Sequence, residues 1–160
     1  MKEITLTEDQ QTILDQLYTF VTTGDNDMAL LEGCAGSGKT TLVQELVQKV
    51  LNQALLSNIA MVAPTHKAVK VMKKMCPEEV VDKITFSSLH SLLGLKHTIT
   101  KDGSEIFVRD TKTISKLHLY DLIVIDESSM VADQLFNEIL DQNYKNVKIL
   151  FVGDSNQINP

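Results

Sequence analysis

The segment Gly33-Cys34-Ala35-Gly36-Ser37-Gly38-Lys39-Thr40-Thr41 has the residue types of a phosphate cradle. Gly33, Gly38, Lys39 and Thr40 fill the P-loop pattern G-x-x-x-x-G-K-[ST] in full. The glycines let successive backbone N–H groups turn inward around an anion with no Cβ in the way. Lys39 has the reach for the β- and γ-phosphate oxygens of ATP, and the Thr40 hydroxyl is a ligand for Mg²⁺. Cys34, Ala35, Gly36, Ser37 and Thr41 complete the expected ATP-binding segment.

A second set of groups supplies the rest of a hydrolytic site. Asp126-Glu127 directly follows the apolar run Leu122 to Ile125. That is the C-terminal end of a strand, where α/β sheets carry their ligands. Asp126 is expected to complete the Mg²⁺ shell opposite Thr40, and Glu127 to orient or deprotonate an attacking water. Gly153-Asp154-Ser155-Asn156-Gln157 follows a further apolar run. Gln157 could hydrogen-bond the γ-phosphate or its water, although such a composition also suits a plain polar turn.

These groups need strands and helices to position them. Met28 to Leu31 reads as a buried strand. Leu42, Val43, Leu46, Val47, Val50, Leu51 and Ala54 then form a helical stripe. Strand, glycine loop and helix are the context a P-loop requires, with the helix dipole directed at the anion. Residues 7 to 21 read as a helix capped by Thr7. Ile59 to Ala63, Leu122 to Ile125 and Val147 to Val152 read as further continuous apolar strands. A lysine-rich helix follows Pro64, and Leu135, Phe136, Ile139 and Leu140 mark another. Such alternation predicts an α/β fold, a parallel sheet flanked by helices. Residues 64 to 121 are too many for a simple crossover. Within them, Asp102-Gly103 separates two β-prone runs, so residues 96 to 110 are expected to form an inserted β-hairpin.

At 160 residues, 43% hydrophobic and 22% charged, the sequence reads as one globular domain. Two cysteines make no disulfide framework. The N-terminus has no signal-peptide core and no apolar run is long enough to span a bilayer, so a cytoplasmic protein with no membrane partner is expected. A net charge of −6 argues against nucleic acid as a partner, unless a local basic patch supplies the contacts. Only one of the fifteen basic residues is an arginine, Arg109.

Five motifs in order carry a more specific resemblance: Gly33 to Thr40, Ala63 to Ala68, Ser88 to Ser91, Asp126 to Met130 and Gly153 to Pro160. Together they resemble superfamily 1 DNA helicases of the RecD/Dda-like branch, over almost the whole chain. The match departs from the family pattern at Asn159, where a proline is common. The resemblance implies a P-loop NTPase of RecA-like fold, with residues 1–160 as a truncated N-terminal motor domain. It also implies ATP and Mg²⁺ as cofactors, and ATP-driven 5′→3′ translocation on single-stranded DNA.

The same resemblance assigns roles to individual residues. Gln10 corresponds to a glutamine that reads the adenine edge, although Thr7-x-x-Gln10 is equally a capping box. Pro64, Thr65, His66 and Lys67 correspond to a DNA-contacting loop, with Thr65 and His66 donating to phosphate. Lys70, Lys73 and Lys74 extend that basic arc, or form an ordinary solvated helix face. Ser88 and His90 match a second motif near the DNA path, and His90 also suits a structural role among leucines. The hairpin occupies the position of a strand-separating wedge, where Phe107 could stack on a base or pack its own strands.

The transition state of phosphoryl transfer needs cationic side chains beyond the P-loop lysine. In the family these arginines come from a second RecA-like domain of the same polypeptide, whereas Arg109 lies in the hairpin. The isolated chain is therefore expected to be a monomer with little activity and no unwinding. Two other readings stay open. A small-molecule phosphotransferase would want several arginines, and a non-catalytic nucleotide-binding module would bind without turnover.

Overall fold

The computed structural model describes residues 5–33, 38–109, 115–131, 133–141 and 146–154. Helix α1 (Glu8–Thr22) starts at Thr7, whose Oγ1 accepts the Gln10 N–H at 3.2 Å. Gln10 Oε1 in return accepts the Thr7 N–H at 3.0 Å. This reciprocal box satisfies donors that a helix start leaves open, and Leu14, Leu17 and Val21 form the buried stripe behind it. Strand β1 (Met28–Gly33) leads into helix α2 (Lys39–Asn52), which buries Leu42, Val43, Leu46, Val47 and Val50. The apolar periodicity continues to Ala54, but the helix does not. Ala54 turns left-handed at φ 54°, and Leu55 N–H reaches back to Val50 O at 3.0 Å. That is a helix stop of the Schellman type, built here without glycine.

Strand β2 (Ile59–Ala63) is buried along its whole length. Helices α3 (His66–Met75) and α4 (Glu78–Val81) follow, then β3 (Ile84–Ser88) and α5 (Leu89–Leu93). Strand β3 was not foreseen from the hydrophobic pattern. Its sequence, Ile-Thr-Phe-Ser-Ser, is half polar because it lies on an edge of the sheet, and β2 supplies its pairing. Gly94, left-handed at φ 73°, ends α5 and turns the chain into β4 (Leu95–Ile99). β4 pairs antiparallel with β5 (Glu105–Arg109) to form a separate two-stranded hairpin. Its loop is wider than a two-residue turn: Thr100 N–H donates to Ser104 O at 2.8 Å and Gly103 N–H to Thr100 O at 3.0 Å. Asp102 organises the loop, accepting from the Thr100 hydroxyl and from Ser104 N–H.

Strands β6 (Leu122–Ile125) and β7 (Lys148–Asp154) complete the main sheet, with helix α6 (Asp133–Asp141) between them. All its pairings are parallel, and the strand order is β1-β7-β6-β2-β3. One core, including Leu17, Leu46, Val50 and Met72, packs α1, α2 and α3 on one face of the sheet. A second, including Leu92, Ile123, Leu135 and Ile139, packs α5 and α6 on the other. Each large side chain fully buried there contributes about 1.5–3 kcal/mol. The N-terminal edge of the sheet is stitched by polar contacts. Asp121 Oδ2 accepts Asn58 N–H at 3.1 Å, and Lys148 Nζ donates to Gly24 O at 2.6 Å. The loops at the opposite, C-terminal edge are therefore the ones left to hold a ligand.

Candidate nucleotide-binding site

Parallel strands bring their C-terminal ends to one edge, and five motifs meet there. Gly33 lies in register with Asp154 of β7, and Ala63 with Ser88. Residues 34–37 and 155–160 lie outside the described residues, so Cys34, Ala35, Gly36, Ser37 and Gln157 have no geometry here. The two ends of the P-loop do. Gly38 is the N-cap of α2 with φ 87°, a left-handed conformation that costs an L side chain about 1–2 kcal/mol. A Cβ on Gly38 would also sit 2.7 Å from Gln10 Nε2, so the Gln10 amide would have to move aside. Lys39 Nζ donates to Gly33 O at 2.8 Å, spanning the loop from its far end to its start. Its ammonium is thus held at the C-terminal end of β1.

Thr40 sits exposed in the first turn of α2, with Thr41 half-buried beside it. Thr40, Asp126 and Glu127 line one cleft of about 400 Å³, together with Thr65, Lys67, Val71 and Met75 of the α3 region. Asp126 N–H donates to Val62 O at 2.9 Å, which extends the β2–β6 ladder by one residue and directs the acid out of the sheet end. Its Oδ1 accepts Glu127 N–H at 2.8 Å. Glu127 is left-handed at φ 52° and ψ 41°, a conformation rare outside glycine and found at functional sites. It opens a 3-10 turn over Ser128–Met130 that rests on β7. A Cβ at Gly153 would lie 2.6 Å from Ser128 Oγ, so that approach depends on glycine.

The residues expected at nucleic acid divide into two kinds. Thr65 is exposed and caps α3, its Oγ1 accepting Ala68 N–H at 3.2 Å. A capping hydroxyl still has its own proton to donate, so the cap does not preclude a phosphate contact. His66 and Lys67 are exposed beside it, and Pro64 is half-buried. Ser88 instead is 6% exposed and caps α5, accepting Ser91 N–H at 3.2 Å. His90 follows on α5, half-buried. Gln10 forms the expected capping box, and its amide also reaches the P-loop. One lone pair of Oε1 serves the capping box, while Nε2 lies against Gly38. Two features escaped the sequence pattern: Thr65 and Lys67 share the Thr40–Asp126 cleft, and Asp154 stands beside Gly33. Both follow from strand order, which no local spacing encodes.

One hydroxyl and one carboxylate in a shared cleft is the sparse donor set that suits Mg²⁺, a cation that keeps several waters and binds substrate phosphates. Thr40 and Asp126 therefore fit that ion. Among the described residues no group of three or more His, Cys, Asp or Glu side chains forms an all-protein metal cage. No helix among them is long and apolar enough to cross a membrane.

Residues 16–160 match the family described as AAA domain. The chain belongs to that family. Within it, the chain is of the RecD/Dda-like superfamily 1 type. It is 30% identical over 159 residues to the ATP-dependent RecD2 DNA helicase of Deinococcus radiodurans, covering 97% of this chain and 18% of that protein. It is 29% identical over 130 residues to the ATP-dependent DNA helicase dda of Enterobacteria phage T4, covering 81% and 27%. Among solved structures, a double mutant of the Pif1 helicase from Bacteroides superposes with a TM-score of 0.59 at 25% identity, covering 100% of this chain and 34% of that one. The chain thus spans about a third or less of these three proteins. The AAA domain has the RecA-like P-loop fold expected, a parallel sheet flanked by helices.

Proposed function

We propose that this AAA domain is the first motor domain of an ATP-dependent DNA helicase that moves 5′→3′ on single-stranded DNA. The observation that carries the reading is the single cleft containing Thr40, Asp126, Glu127 and Thr65. It joins the phosphate end of a nucleotide site to the loop that leads into the basic helix α3. The helicases among the matched proteins support the same reading. So does the Bacteroides Pif1 structure bound to single-stranded DNA, which shares this fold.

In this reading the P-loop N–H groups of residues 33–41 surround the phosphates, and Lys39 exchanges Gly33 O for the β- and γ-oxygens. Thr40 and Asp126 would hold Mg²⁺, which when bound would neutralise phosphate charge. Glu127 takes a proton from water, and Gln157 orients that water or the γ-phosphate. Gln10 offers the free donors of Nε2 and the second lone pair of Oε1 to the adenine edge. Pro64, Thr65, His66 and Lys67 track the DNA backbone, with Ser88 and His90 supporting that loop from β3 and α5. The hairpin expected over residues 96–110, formed by β4 from Leu95 and β5 to Arg109, acts as a wedge between strands.

Arg109, the single arginine, belongs to that hairpin, where its backbone pairs with Leu95. The cations that steady the γ-phosphate in the transition state then come from a second RecA-like domain. The isolated chain is accordingly a cytoplasmic monomer that binds Mg-nucleotide weakly and turns it over near background. Titration with a fluorescent ATP analogue, followed by phosphate-release assays with and without single-stranded DNA, tests this. Nucleotide binding with turnover at background is the expected result. Brisk DNA-stimulated turnover by residues 1–160 alone would refute the half-site. Transfer of phosphate to a nucleoside would favour a phosphotransferase, and binding that stays inert in a longer protein would favour a non-catalytic module.

A further inference from the structure

Helix α2 carries a half-buried polar side chain, Gln44, on the face that holds Thr40. The two residues are four apart, one turn of the helix. Gln44 Nε2 donates to Met75 O at 2.6 Å, and Met75 is the last residue of α3. Carbonyls in a final helical turn have no partner within their own helix, so this bond satisfies one of them and ties α3 to α2. It uses one of the two Nε2 protons and leaves the Oε1 lone pairs for another partner. Beside Gln44 lies a cavity of about 20 Å³ between α2, α3 and the sheet. Thr40, Gln44 and Asp126 line it, together with five apolar residues that include Met72 and Val152. A space of about 10–15 Å³ is enough for one water where two to four polar groups face it. A wholly apolar cavity of this size would stay dry. Here the apolar walls make any unpaired polar atom costly, and three polar residues share the space.

We propose that this cavity is a site for one ordered water held by Thr40, Asp126 and Gln44, and that Gln44 is a positioning residue for the Mg²⁺ ligands. The proposal rests on the reading of Thr40 and Asp126 as those ligands. Asp126 Oδ1 already accepts Glu127 N–H at 2.8 Å, which leaves Oδ2 for the water. The water can give one proton to Oδ2 and the other to Gln44 Oε1, and accept the proton of the Thr40 hydroxyl. That orients the Thr40 oxygen with a lone pair available to the metal. Outer hydrogen-bond partners of this kind fix the orientation of metal ligands, and their loss lowers metal affinity by roughly 10–100-fold. Because Gln44 Nε2 is bonded to Met75 O, the same chain of bonds joins the Thr40–Asp126 pair to α3, the helix that Thr65 caps.

Gln44→Met tests it, since methionine keeps the length of the side chain and removes its hydrogen bonds. Affinity for a fluorescent ATP analogue in EDTA should be unchanged, while the enhancement of that affinity by Mg²⁺ should fall by about tenfold. A side chain that served packing alone would lower both together, and that outcome would overturn the proposal. Asp126→Asn, measured in parallel, separates the two levels of the argument. Loss of the Mg²⁺ enhancement in Asp126→Asn but not in Gln44→Met would overturn the role of Gln44 and leave the ligands in place. An enhancement that survives Asp126→Asn would overturn the reading of the ligands, and the proposal with it. A high-resolution crystal structure of residues 1–160 tests the site even if Gln44→Met fails to fold. One water within about 3.2 Å of polar atoms of Thr40, Asp126 and Gln44 is the expected result. A dry cavity, or a water bonded to only one of the three, would overturn it.

Discussion

Replacing Gly38 with alanine should cost stability through two separable effects. The left-handed backbone at φ 87° disfavours any L side chain by about 1–2 kcal/mol. The new Cβ would also stand 2.7 Å from Gln10 Nε2, and the expected retreat of that amide gives up the bond from Thr7 N–H. Loss of that capping-box bond adds about 1 kcal/mol. The sum, ~2–3 kcal/mol, corresponds to a fall in Tm of roughly 4–12 °C for a domain of this size. Gln10→Ala alone should cost about 1 kcal/mol, because it removes the same bond. In the Gly38→Ala background that bond is already gone, so adding Gln10→Ala should cost close to nothing. Urea denaturation of the four proteins of this cycle, followed by circular dichroism, measures the coupling directly. If Gln10→Ala cost the same in both backgrounds, the contact between α1 and the P-loop would not exist as described.

Three further outcomes follow from the same geometry. Asp126→Asn should remove the Mg²⁺-dependent part of nucleotide affinity while sparing the Mg²⁺-free part, read by fluorescent-nucleotide titration with and without EDTA. Gly153→Ala should destabilise by about 1–3 kcal/mol through overpacking against Ser128, and Ser128→Ala should recover most of the loss in denaturant titrations. Bonds from the Thr100 hydroxyl and Ser104 hold the Asp102 carboxyl below its ordinary 3.8. The depressed value means that the carboxylate's contribution to the hairpin loop is complete above the unfolded pKa. It is lost as pH falls through the lower folded one, so Gly103 and Ser104 amide shifts should titrate with a midpoint under 3.8, and Asp102→Asn should abolish that step.

The short-range content of the chain was largely readable. Thr7 and Gln10 announced a capped helix, Gly38-Lys39-Thr40 announced a loop turning into another, and Asp102-Gly103 announced a reversal. Each signal acts within a few residues, where sterics and local hydrogen bonds decide. The buried strands β2 and β6 were equally plain, because a strand covered on both faces must be apolar throughout. β3 was not, since an edge strand needs only one apolar face and its pairing comes from β2.

What spacing could not convey was adjacency between distant segments. The insertion of β7 between β1 and β6 sets Asp154 beside Gly33 and leaves Leu30 on an open edge. The residue types expected to do chemistry, Lys39, Thr40, Asp126 and Glu127, were written into the sequence with the turns that expose them. Their meeting in one cleft with Thr65, the Gln10 amide closing on Gly38, and the left-handed Glu127 all arise from how strands pair and helices pack. Those contacts join residues far apart in the chain, and their energy depends on the assembled core rather than on any local pattern.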